Sequence, residues 1–255
     1  MRAIWSIAAT TFRESIRNRT LLGIVLLAVA FLGSALLLAA LSLDQRIRVI
    51  TDWGLFCVSA FGVLLAILMG VSQIHQEIKR KSIYVVLTRP NPRWKYVLGR
   101  QLGLSITLLT GVTCIAGALI LLLLSEGVPP SALLFKALWL ALVEVLVVAG
   151  LALFFASFSS PVLSGMFTFG IFVVGRSMPW LETLSGKNEA LLPKGLLVAL
   201  TYGLPDLASL NVGARVVHGI ELPWEQVATF TLYGFSYLGA LIFFSAWIFS
   251  RRDLT

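Results

Sequence analysis

The chain has 255 residues, 58% hydrophobic and 13% charged, with a formal net charge of +8. Soluble domains carry about a quarter charged residues, and apolar runs of about 20 residues recur along this chain, so composition excludes an ordinary soluble domain and reads as a polytopic membrane protein. The runs are continuously apolar rather than alternating, which favours helices over a barrel, and the positive charge sits beside them, where it sets topology and meets lipid headgroups rather than nucleic acid.

Residues 1–19 are predicted to form an amphipathic helix at the membrane interface. Ile4, Trp5, Ala8, Phe12 and Ile16 share one face at helical spacing, and Arg2, Arg13, Glu14 and Arg17 fall largely on the other. This segment lacks an apolar core followed by a small-residue cleavage site, so the first apolar run is expected to be a retained span. Spans are predicted at about residues 20–43, 53–72, 102–124, 132–158, 162–180 and 228–249.

Between the first two spans, residues 44–52 balance Arg46 and Arg48 against Asp44 and Asp52, as expected of a short loop on the outside. Residues 73–103 follow the second span. They hold Lys79, Arg80, Lys81, Arg89, Arg93, Lys95 and Arg100 against one carboxylate, Glu77, and a basic loop between spans reads as cytoplasmic. Residues 76–87 suit a helix, Pro90 and Pro92 forbid its continuation, and residues 93–103 restart a helix into the third span. A helix, a proline-locked turn and a second helix would make a compact knob able to transmit force; a loop that only holds topology remains the simpler alternative.

The prolines of residues 125–131 stop the third span, and Ser159, Ser160 and Pro161 make a short turn between the fourth and fifth. Residues 181–227 carry Pro193, Pro205 and Pro223 and are read as an external loop with short helices. With both termini inside, cytoplasmic segments hold thirteen Lys and Arg and external ones seven, among them Lys136 and Arg176 near span ends, where long side chains snorkel.

Nothing in the sequence offers a catalytic centre. His75 and His218 fall in loops on opposite sides, Cys57 and Cys114 lie within apolar runs, and HExxH, GxSxG and GxxxxGK[ST] motifs are absent. One ionisable residue stands well inside a span: Glu144, with no basic partner evident in neighbouring spans. It is read either as part of a polar translocation path or as a hydrogen-bonded contact between helices.

The pattern Glu77-x-x-x-Lys81-Ser82-Ile83-x-x-Val86-Leu87-x-Arg89-Pro90-x-x-Arg93-x-x-Tyr96-x-x-Gly99-Arg100-x-x-Gly103 resembles the intracellular loop of ABC type-2 permeases, the membrane subunits of exporter-class ABC transporters. Residues 12–18 are similar to that family's N-terminal connecting helix, residues 202–206 with Leu210 and Asn211 to its outer segment before the last span, and residues 249–254 to its usual terminus. Lys81, Asn91, Pro92 and Arg100 depart from common family residues.

The resemblance implies a single all-α transmembrane domain over residues 1–255, with six spans, the interfacial helix and a cytoplasmic coupling helix-turn-helix. It implies cytoplasmic ABC ATPase subunits that dock on residues 73–103 and on the N-terminal helix, and a second permease copy or a sister permease. ATP and Mg would bind the partner ATPase, with no cofactor on this chain. Glu77, Lys81, Arg89, Pro90 and Arg93 would serve coupling, Glu144 the path, and Tyr202, Pro205 and Asp206 an external gate. The expected setting is a bacterial cytoplasmic (inner) membrane. An ion channel or secondary carrier using Glu144, and a scaffold anchoring an ATPase, are the alternative readings.

Overall fold

The computed structural model describes residues 2–42, 45–80, 93–180 and 203–251, and these are all-helical. In chain order the helices are α1 (Arg2–Ile16), α2 (Arg19–Leu41), α3 (Arg46–Arg80), α4 (Arg93–Ser125), α5 (Ala132–Ala156), α6 (Pro161–Arg176), α7 (Gly213–Val217) and α8 (Trp224–Arg251). Five of them, α2, α3, α4, α5 and α8, are long and apolar enough to cross a membrane.

Their ends follow from local chemistry. Asn18 caps α2 by accepting from the Thr20 amide at 3.0 Å, and Ser131 caps α5 by accepting from Leu134 N at 3.2 Å. Gly127, at φ +76°, closes α4: Gly127 N donates to Leu124 O and Val128 N to Leu123 O, the paired bonds of a left-handed helix end. Pro129 and Pro130 then forbid any continuation. Pro161 opens α6, where its missing amide costs nothing.

Two expectations about the spans are corrected. Residues 44–52 are not a loop throughout, because α3 is already helical at Arg46 and runs 35 residues to Arg80. Balanced charge reports which side a segment favours, not whether it is helical, and no Pro or Gly interrupts residues 45–53. At about 1.5 Å per residue α3 reaches about 52 Å, well beyond the ~30 Å hydrocarbon core. The expected fifth span, 162–180, is a 16-residue helix that stops at Arg176, where Ser177 N turns back to the Val173 and Val174 carbonyls. Its length of about 24 Å falls short of the core. The apolar run persists to Trp180, but a turn at Ser177 separates α6 from the helical residues 178–180.

Burial identifies the centre of the bundle. The most apolar stretches of α3 and α5 are 72% and 78% buried within the chain, whereas those of α2 and α8 are 28% and 22% buried and lie at the periphery. No helix pair among the described residues packs more extensively than α3 with α5. Leu65, Met69, Leu104, Leu108, Ile115 and Leu140 fill the shared core. Large apolar side chains on α2, α6 and α8, including Leu26, Leu37, Met166, Leu232 and Phe243, remain exposed, as suits helices whose outer faces meet lipid.

α1 packs along the first turns of α4. Its buried face is Ala8, Thr11 and Ser15, while Trp5 and Ile16 are exposed. The sequence places Trp5 and Ile16 with Ala8 on one apolar face; the structure divides that face. Small residues turn to the protein because Gly99 and Gly103 of α4 admit them closely: a Cβ on Gly103 would stand 2.5 Å from the Thr11 Cβ and 2.7 Å from the Ala8 carbonyl oxygen.

Candidate functional site

α5 is continuously apolar except for Lys136 near its start and Glu144 at its middle, and Glu144 is fully buried. Its two carboxylate oxygens are both engaged. Ser59 Oγ of α3 donates to Oε2 at 2.9 Å, and Arg176 Nη1, from the last residue of α6, donates to Oε1 at 2.5 Å. The same Nη1 lies 3.0 Å from Ser59 Oγ. Three helices therefore meet at one polar knot, in a region where an uncompensated charge is expensive.

This overturns the expectation that Glu144 lacks a basic partner, and with it the reading of Arg176 as a snorkelling residue at a span end. Helical side chains lean toward the helix N-terminus. Arg176 closes α6, so its guanidinium points back along that helix toward α5 and passes within 5.9 Å of the Phe172 ring centroid.

Two clefts open beside the knot. One, of about 400 Å³, is apolar and lies between α3 and α6, lined by residues that include Phe56, Leu64, Ile67, Phe169 and Phe172. The other, of about 350 Å³, is more polar, with a mixed lining that includes Asp52, Trp53, Leu55, Asn211 and Gly213. Phe56 and Arg176 line both, so the two spaces adjoin at the guanidinium.

Two of the residues expected to form a gate, Pro205 and Asp206, lie beside the end of α6. Pro205 is buried, and its carbonyl oxygen lies 2.5 Å from where a Cβ on Gly175 would stand. Ala208 N donates to Gly175 O at 3.3 Å. Asp206 Oδ1 accepts from the Ala208 and Ser209 amides, and Asp206 N donates to Tyr233 Oη at 2.8 Å. Asp206 thus organises a turn that rests on α6 one residue from Arg176. Tyr202 lies outside the described residues.

Of the coupling residues, Glu77 lies in the last turns of α3 and Arg93 is the first residue of α4, so both long helices extend into the basic stretch. Lys81, Arg89 and Pro90 lie outside the described residues, as does the proline turn. What the structure adds is Arg100. Its side chain is 3% exposed; Nη1 donates to Thr11 Oγ1 at 3.2 Å, Nε to Tyr96 Oη at 3.3 Å, and Glu14 lies 3.9 Å away. Gln73 Nε2 of α3 reaches Ser15 Oγ at 3.5 Å, the limit of a hydrogen bond. The N-terminal helix is therefore tied to the root of α4 by a buried cation.

Sequence reasoning missed Ser59, Arg100 and Thr11, and misread Arg176. One signal was present: Gly99 and Gly103 form a small-xxx-small pair, the pattern that lets another helix approach closely. Nothing local marks Ser59 as a partner of a residue 85 positions away.

A helical bundle with five helices long enough to cross a membrane, among the described residues, and a charged knot at its centre defines a polytopic membrane protein. The chain belongs to the ABC-2 transporter family: the model described as "ABC-2 family transporter protein" matches residues 5–177, which run from α1 through the polar knot. A comparison with curated proteins found no match. The chain is accordingly a transporter permease with several membrane-spanning helices.

Proposed function

We propose that this permease is the membrane subunit of an ATP-binding cassette exporter. Two copies, or this chain and a sister permease, enclose the translocation path in a bacterial cytoplasmic membrane with both termini inside. Separate ATPase subunits bind ATP and Mg and dock on residues 73–103 and on α1. Closure of the ATPase pair pulls on this surface, and α3 and α4 carry the motion into the bundle. The outer segment at residues 196–215, with Tyr202, Pro205 and Asp206, acts as the external gate.

The observation that carries this reading is the lock between α1 and α4. Arg100, Gly99 and Gly103 hold the N-terminal helix against the returning limb of the basic stretch. A force applied to either is shared by both, as a lever that enters a membrane bundle requires. A channel or proton-coupled carrier built on Glu144 would use a carboxylate free to exchange its partner; here both oxygens are occupied, which weighs against that alternative.

The test is reconstitution of the permease with and without its ATPase, with the distance between spin labels on α1 and α6 followed on adding nucleotide. Nucleotide-dependent movement that requires the ATPase is the expected result. Identical transport and movement in its absence would overturn the proposal, and binding of an ATPase without transport would favour the scaffold.

A further inference from the structure

The two clefts form one groove whose chemistry changes along its length. The apolar part lies between α3 and α6, and the polar part adds Asp52 and Asn211; Arg176 stands where they join. From Asp52 to Ile67 the groove follows fifteen residues of α3, about 22 Å of rise. The spanning stretch of α3, Arg46–Gln73, has its centre beside Ser59, so the polar part lies toward the Asp52 end of the span and the apolar part reaches past its middle.

Two groups in the groove have unused capacity. Arg176 uses only Nη1 toward Glu144 and Ser59; Nε and Nη2 have no partner among the described residues. Asp52 lines the polar cleft with Arg176 yet forms no ion pair among the described residues. Arg176 and Glu144 cancel in charge, and Asp52 is left over. A purely anionic ligand would meet this net negative charge, and a purely cationic one would leave the guanidinium N–H groups unused. A ligand carrying both signs satisfies both.

We propose that the groove binds a zwitterionic phospholipid from the leaflet on the Asp52 side. The phosphate accepts from the free edge of Arg176, a geometry guanidinium groups favour. The ammonium meets Asp52, and one acyl chain lies along the apolar cleft over Ala60, Leu64 and Phe169. This site requires only that the chain lie in a bilayer, so it holds whether or not an ATPase docks.

The experiment is native mass spectrometry of the delipidated full chain titrated with phosphatidylethanolamine, phosphatidylglycerol or diacylglycerol of identical acyl composition. Phosphatidylethanolamine is expected to bind about tenfold or more tightly than either, as one extra charge-assisted hydrogen bond provides. Asp52→Asn should erase its advantage over phosphatidylglycerol without weakening diacylglycerol. Ala60→Trp, which fills the apolar cleft without touching a charge, should weaken all three. Equal binding of the two phospholipids, or an unchanged preference in Asp52→Asn, overturns the proposal. So does an Ala60→Trp variant that alters the oligomeric state and leaves lipid binding intact, because the groove would then be an interface between copies.

Discussion

Glu144 and Arg176 stand 32 positions apart and form a 2.5 Å ion pair, with Glu144 fully buried and Arg176 at the mouth of a groove. The pair is asymmetric. Removing Arg176 leaves a buried carboxylate with only Ser59, whereas removing Glu144 leaves a cation that can turn toward the polar cleft.

Single substitutions should reflect this asymmetry. Arg176→Ala is expected to cost about 3–5 kcal/mol, the usual effect of stranding a buried charge. Glu144→Gln should cost less, and the double variant Glu144→Gln with Arg176→Gln should recover much of the loss. Thermal unfolding of the purified variants in detergent measures all three. Strictly additive losses would show that the two residues do not act as a pair.

The lock between α1 and α4 can be opened sterically. Gly103→Val places its branched side chain against Thr11 and the Ala8 carbonyl, and backbone cannot yield as a flexible side chain can. A cost of about 1–3 kcal/mol is expected, read as faster tryptic cleavage at Arg13 and Arg17. Membrane insertion should be unaffected. Cleavage at the wild-type rate would mean that α1 does not depend on this contact.

Arg100 offers a chemical test of the same lock. Arg100→Lys keeps a cation near Glu14 but loses the fork that reaches both Thr11 and Tyr96. The loss of one bond to a charged group should cost about 1.5–3 kcal/mol. Arg100→Met should release α1 more completely, and ATPase co-purification should fall in the order wild type, lysine, methionine. Equal retention across the series would separate the lock from assembly.

Coupling itself is tested further along the stretch. Glu77→Ala and Arg93→Glu should lower ATPase assembly or nucleotide-driven transport while leaving insertion intact. Normal assembly and transport in both variants would remove these residues from the transmission role.

The proposed gate is tested by Gly175→Ala, whose methyl group would meet the Pro205 carbonyl. The turn at residues 205–208 must move, so cysteine accessibility at position 208 should rise and transport should fall. By contrast, Glu126→Gln, which removes the exposed Arg46–Glu126 bridge, should change stability by less than about 1 kcal/mol.

The sequence by itself determined the class of the fold. Long continuous apolar runs admit only helices in a bilayer, and the proline and glycine stops between them mark their ends. The same information identified the basic stretch at residues 73–103 and the family resemblance, because both are written in consecutive residues. It also singled out Glu144, since a lone carboxylate in an apolar run needs no context to be noticed. Tertiary structure alone decided what Glu144 touches, which face of α1 is buried, and how far α6 extends. Each depends on residues far apart in the chain: Ser59 and Arg176 converge on Glu144, and Thr11 meets Arg100 and Gly103. Periodicity reports which residues share a face but not what that face meets. An apolar run reports affinity for lipid but not the turn at Ser177 that ends α6 and aims Arg176 inward.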